Sequence, residues 1–153
     1  MQLTTQDLFI AAQAGILRRI SAIARDRPER YGVPPGDRWG VHIEACISEY
    51  LVSQITNRSW RPFVAVPGDL PADVGLDIQV RHTHHLHGSL IFYEKDSKDQ
   101  IYVLVVGSHI KQKIAGWIVG RDGMRQEFWK HDAREPGYFV PQSALRPIAE
   151  LIK

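Results

Sequence analysis

The order of hydrophobic patterns predicts an α+β fold, with N-terminal helices packed on a central mixed β-sheet. Two observations carry this expectation. Apolar residues recur at helical spacing up to about residue 57 and at a period of two beyond it. The chain has 153 residues, 44% apolar and 24% charged, which is enough for one compact domain with a buried core.

The first helix is expected over 5–25. Thr4 or Thr5 caps it, Asp7 suits its positive end, and Leu8, Ala11, Ala12, Ile16, Ile20 and Ile23 supply the stripe to be buried. The stretch RPERYGVPPGDR, with Pro28, Pro34 and Pro35, breaks the pattern and reads as an exposed connector or a clamp across the core. A second helix is expected over 39–57, burying Ile43, Ile47, Tyr50, Leu51 and Ile55. The organisation is thus an N-terminal helix and connector over 1–38 followed by a core over 39–153.

Strands follow. Residues 63–66 are a short candidate, and PGDLPADVG supplies turns. DIQVRHT (77–83) alternates, with Ile78, Val80 and His82 on one face and Asp77, Gln79 and Arg81 on the other. Residues 90–94 and 101–106 flank the polar stretch KDSKDQ, which predicts a hairpin. KIAGWIV (113–119) is a further strand, and 120–129 a short helix or loop. Residues 138–140 read as an edge strand stopped by Pro141, and Ser143 as the cap of a last helical turn running through Ile152.

The net charge is only +2, from nineteen Lys and Arg against seventeen Asp and Glu, which argues against a wholly basic nucleic-acid binder. The distribution is uneven: residues 1–38 carry +2, residues 39–110 carry −3 and residues 111–153 carry +3. An acidic middle between basic ends suits a cation site flanked by phosphate-binding surface. The lone Cys46 excludes an intrachain disulfide and a cysteine-based zinc site, and a reducing, cytoplasmic setting is expected. The longest apolar run near the middle, IYVLVV, is far shorter than the roughly 20 residues of a spanning helix. The N-terminal stretch has no basic residue ahead of its apolar part and does not read as a secretory signal.

The residues with chemical promise surround DIQVR. Alternation sets Asp77, Gln79 and Arg81 about 6–7 Å apart on one face. Asp73 precedes Gly75, and a turn there returns it to the start of the strand. Glu44 and Glu49 on the second helix are acids able to reach the same place. Mg²⁺ wants oxygen donors, keeps several waters and needs only one or two carboxylates. Asp73, the Val80 carbonyl, the Gln79 amide oxygen and Glu49 through water meet that need, and Arg81 adds fixed positive charge beside a phosphate.

A helix with Glu49, then Asp73, then a strand reading Gln79, any residue, Arg81 resembles the PD-(D/E)XK nuclease superfamily. The texture of VRHT, LVVG, GWIVGRDG and YFVPQSALRP is similar to small phage- and prophage-type proteins carrying that core. The resemblance implies a restriction-endonuclease-like core and hydrolysis of DNA phosphodiester bonds with Mg²⁺ or Mn²⁺. It makes Asp73, Gln79, Arg81 and Glu49 the catalytic set. Asp73, Gln79, the Val80 carbonyl and Glu49 become the metal ligands, with Asp77 and Glu44 as alternates. Three departures stand out. The interval from Asp73 to Gln79 is short, Gln79 is neutral, and Arg81 replaces a lysine and is too basic to act as a general base. A catalytically silent nucleic-acid-binding or regulatory module on the same fold is therefore the alternative, and an interaction protein engaging a host protein a third possibility. A homodimer is compatible with any of these.

Other features point elsewhere. His82, His84, His85 and His87 are dense enough to attract Zn²⁺ or Ni²⁺, but lack the continuation a metallo-hydrolase needs, and read as an exposed loop. Cys46 lies mid-helix and reads as packing. Trp39, Trp60 and Trp129 are candidates to stack bases, whereas Trp117 within a strand reads as core. No GxGxxG, phosphate-binding loop or GxSxG turn occurs.

Overall fold

A computed structural model describes residues 1–26, 35–62 and 72–152. The connector at 27–34 and the strand candidate at 63–66 lie outside the described residues. Helix α1 spans Thr5–Ala24 and helix α2 spans Arg38–Thr56. Thr4 and Asp7 close a reciprocal cap on α1: the Thr4 hydroxyl accepts from the Asp7 N–H at 3.2 Å, and the Asp7 carboxylate accepts from the Thr4 N–H at 2.8 Å. α2 ends at Asn57, whose φ of 51° is the left-handed conformation that stops a helix.

The two helices form an antiparallel hairpin. Tyr50 on α2 donates to Asp7 at 3.0 Å near one end, and Gly15 meets Ile43 towards the other. The close approach rests on small residues. Ala11, Ala14 and Gly15 are buried, and a Cβ on Gly15 would lie 2.5 Å from the Ile43 Cα and 2.8 Å from the His42 carbonyl oxygen. This corrects the expected face of α1: Ile16, Ile20 and Ile23 point outward, because the crossing is too tight for branched side chains. In α2, Ile47 and Leu51 are buried as the spacing requires, while Ile43, Tyr50 and Ile55 are half-buried.

Six strands follow among the described residues: β1 (Ile78–Thr83), β2 (Leu90–Phe92), β3 (Ile101–Val106), β4 (Lys113–Val119), β5 (Trp129–Lys130) and β6 (Gly137–Val140). They make two three-stranded sheets. The first has the order β1-β3-β4, parallel between β1 and β3 and antiparallel between β3 and β4. The second is antiparallel, with the order β2-β6-β5. The fold is therefore α+β, with a helical hairpin, a mixed sheet and a small antiparallel sheet in successive layers.

The central strand β3 explains the layering. Both its faces are apolar, so both must be covered. Val103 and Val105 join Leu51, Val52, Val74, Ile78 and Trp117 in the core beneath α2. Tyr102, Leu104 and Val106 join Leu90, Phe92, Ile118 and Val140 between the sheets, with the Phe92 and Tyr102 rings edge-to-face at 4.5 Å.

Three expectations need correction. β2 and β3 do not pair as a hairpin. β3 has both edges taken by β1 and β4, and the eight-residue stretch 93–100 carries the chain between layers, placing β2 against β6. β6 is the centre of its sheet rather than an edge, and Pro141 is harmless because it follows the last pair, Leu90 with Val140. The C-terminal segment forms 3₁₀ turns at Gln142–Ala144 and Ile148–Glu150 instead of a helix. Pro147 holds Arg146 extended, and Arg146 exchanges backbone hydrogen bonds with Trp117.

No helix among the described residues is long and apolar enough to cross a membrane.

The tight crossing is testable against a control on the same hairpin. Gly15→Ala is expected to destabilise the fold by about 1–3 kcal/mol in urea titrations followed by circular dichroism. Gly40→Ala, in α2 with open space around it, is expected to stabilise by about 0.5–1 kcal/mol.

Candidate functional site

Asp73 lies at the open edge of the mixed sheet, and local chain closure puts it there. Gly75, with φ at 62°, turns the chain so that the Asp73 and Val74 N–H groups both donate to the Ile78 carbonyl, at 2.9 and 3.1 Å. The Asp73 carboxylate then accepts from the Val80 N–H at 2.8 Å. Among the described residues, β1 has a neighbour on one side only. A strand residue presents its N–H and C=O to the same side, so the Val80 carbonyl shares that open edge with Asp73.

Glu49 reaches the same place from α2. It is only 5% exposed, and its charge is met by Arg18 of α1, which donates to both carboxylate oxygens at 2.6 and 2.7 Å. Trp60 adds a third hydrogen bond from its indole N–H at 3.0 Å. The fork-to-fork geometry is the strong form of this pairing. Arg81, on the opposite face of β1 from Ile78 and Val80, donates to Asp96 at 2.8 Å and lies 5.6 Å from the centre of the Tyr102 ring. Asp96 is fixed in turn by the Tyr93 N–H at 2.9 Å.

These groups act on one another. Burial pushes the Asp73 carboxyl up from 3.8 to about 6, and the neighbouring Glu49 charge pushes the same way. The Val80 N–H, Arg18 and Arg81 oppose that rise without cancelling it. The result is a carboxylate that stays short of positive charge at neutral pH. Burial also raises the Cys46 thiol to about 12, so this cysteine is inert packing rather than a nucleophile.

Of the residues singled out from sequence, Glu49, Asp73, Val80 and Arg81 gather around this edge. Gln79 stands beside them on β1, on the Arg81 face and paired in register with Tyr102. The two alternates are engaged elsewhere. Asp77 pairs with Arg58 at 2.5 Å. Glu44 accepts from the His109 N–H at 3.0 Å and from Gln112 at 2.5 Å, and also pairs with the His109 ring. Arg18, Trp60, Asp96 and Tyr102 belong to the site without having been singled out for it. Arg18 had a readable signal, because it is one of only two charges between residues 8 and 24. Asp96 had none beyond its place in a polar turn.

Most of the histidine-rich segment lies beyond the end of β1, with only His82 on the strand itself. His84, His85 and His87 are exposed, and the His82 ring bonds the Gly107 carbonyl at 2.7 Å. Among the described residues, no three His, Cys, Asp or Glu side chains gather as a metal site. Among the described residues, the oxygen donors at the β1 edge are the Glu49 and Asp73 carboxylates and the Val80 carbonyl. Trp117 is buried in the core, and the half-buried Trp129 lines a shallow cleft with Tyr93, Lys95 and Glu135.

No protein-family model matches the chain, and no curated protein and no solved structure matches it.

The raised Asp73 carboxyl has a measurable cost. Because its folded value lies above the unfolded one, its contribution to stability is complete below 3.8 and is lost as pH rises through about 6. Asp73→Asn keeps an oxygen for the Val80 N–H but sheds the charge. It is expected to match wild type at pH 4 and to exceed it by about 1–3 kcal/mol at pH 8, read from denaturant titrations at both pH values. Equal stability at pH 8 would contradict this account of the site.

Proposed function

We propose that the protein is a metal-dependent nuclease that hydrolyses DNA phosphodiester bonds at the open edge of β1. The observation that carries this reading is the meeting of Glu49 and Asp73 beside the Val80 backbone, with Asp73 left under-compensated. A carboxylate whose ionisation is opposed by burial is one a divalent cation would relieve. The donors fit the least that Mg²⁺ accepts: Asp73 and the Val80 carbonyl directly, and Glu49 and Gln79 through water. Mn²⁺ suits the same donors. Glu49 is suited to the outer role because Arg18 and Trp60 already occupy its oxygens.

A bound divalent ion supplies an activated water and withdraws charge from the phosphoryl oxygens. The chain's own residues do the rest. Asp73 holds its carboxylate at a fixed place through the Val80 N–H. Arg81, oriented by Asp96 and Tyr102, offers permanent positive charge to a phosphate entering along the strand edge. Arg81 cannot take a proton, so the proton of the attacking water would pass to solvent. On this reading the core is of the restriction-endonuclease type, as the resemblance to the PD-(D/E)XK superfamily implies.

One observation favours a second reading, a nucleic-acid-binding module without catalysis. Arg18 already neutralises Glu49 at short range, doing for that carboxylate what a cation would otherwise do.

Cleavage assays separate the two. Supercoiled, linear and branched DNA are incubated with wild type, Asp73→Ala and Arg81→Met in Mg²⁺ and in Mn²⁺. The nuclease reading expects metal-dependent cleavage that falls at least about 100-fold in both variants. If wild type and Asp73→Ala behave alike on every substrate, that reading is wrong. Salt-sensitive DNA binding with no cleavage would establish the second reading instead.

A further inference from the structure

Helix α1 is turned inside out. Its small residues and its only mid-helix charges, Arg18 and Arg19, face α2, while its large apolar residues face outward. Phe9, Ile10, Ile16, Leu17, Ile20 and Ile23 are 39–62% exposed. An amphipathic helix normally buries such residues, and six of them on one face of a 20-residue helix form a surface that calls for a cover.

From this face we infer that the protein is a homodimer in which α1 packs against α1 of a second copy. Three observations select that occupant. The first is spacing. Phe9, Gln13, Ile16, Ile20 and Ile23 follow one another at intervals of four, three, four and three, the seam of a two-stranded coiled coil, with Leu17 and Ile10 flanking it. Gln13 is the single polar member, and in a parallel two-fold pair it meets its own counterpart, so its amide is satisfied by the same group from the other copy.

The second observation is area. The six exposures amount to roughly 500 Å² of apolar surface per copy, taking about 150–200 Å² for each whole side chain. A standard interface covers about 800 Å² per partner and is about 65% apolar in homodimers, close to the same figure.

The third is charge. No Asp, Glu, Lys or Arg lies on the outward face between residues 8 and 24. A nucleic acid would find no cation there, and a helix built to lie on a lipid surface carries Lys or Arg beside its apolar stripe. A second uncharged stripe of the same shape is the complementary partner.

The face lies opposite Arg18, so the pairing leaves the Glu49–Asp73 edge open and does not depend on the nuclease reading. The seam covers about two heptads, which suits micromolar association. Sedimentation velocity from 1 to 200 µM is expected to show wild type moving to twice 17.4 kDa. The pair Ile16→Glu with Ile20→Glu is expected to weaken association at least about 50-fold with an unchanged circular dichroism spectrum. Gln13→Cys, whose thiol is the only accessible one because Cys46 is buried, is expected to form a disulfide-linked dimer on mild oxidation, whereas Ser143→Cys does not. If the glutamate pair fails to fold, the Gln13→Cys cross-link decides the matter alone.

A wild type that stays monomeric at 200 µM overturns the proposal, as does a dimer indifferent to the glutamate pair. A monomer that binds anionic vesicles assigns the face to lipid. A monomer whose Gln13→Cys thiol resists labelling by a soluble maleimide assigns the cover to another segment of the same chain. Either result also overturns it.

Discussion

The pairing of Glu49 with Arg18 is the constraint on which the arrangement of the helices and the site depends. A carboxylate this buried is tolerable only with a partner, and removing one member of such a pair costs about 3–5 kcal/mol. Arg18 comes from α1, which reaches the rest of the molecule chiefly through α2. The pair therefore locks the helical hairpin and sets the charge balance at the β1 edge in a single interaction. Gly15 is the geometric counterpart of that lock, since the helices approach closely enough for the pair only where side chains are small.

On the other side of the mixed sheet, Arg81 and Asp96 do for the sheet-to-sheet layer what Arg18 and Glu49 do for the helical one. Each layer sends one anchored arginine toward Asp73, which stands where the two faces of β1 meet at their shared edge. The site is assembled from both halves of the chain, with residues from α1, α2, the Gly75 turn, β1 and the 93–100 stretch. Its local part, from Asp73 to Val80, forms by short-range closure. Its distant parts arrive only when the layers have packed.

That division accounts for what was legible in the sequence. The helices could be placed within a residue or two, because Thr4, Asp7 and Asn57 are local signals. So could β1, β3 and β4, whose alternation or apolar runs are self-contained. The return of Asp73 to β1 was readable from Gly75. Pairing was not: whether β2 joins β3 or β6 is decided by competition for β3, whose two edges go to β1 and β4. The buried face of α1 was misread for a related reason. Hydrophobicity ranks Ile16 and Ile20 above Ala11 and Gly15, but a close helix crossing selects for size. Arg18 was missed as a site residue because its partner lies 31 positions away.

The open edge of β1 has a consequence for the solubility of the chain. An unpaired strand edge is a template on which another chain can add, and natural sheets blunt such edges with charge, turns or irregular cover. Asp73 supplies all three over the first half of β1: its segment folds back onto Ile78, its carboxylate occupies the Val80 N–H, and its charge repels an incoming strand. The residue proposed to hold a ligand is thus also the guard of the sheet. A neutral, shortened side chain at position 73 removes the carboxylate and leaves the Val80 N–H open to an incoming strand.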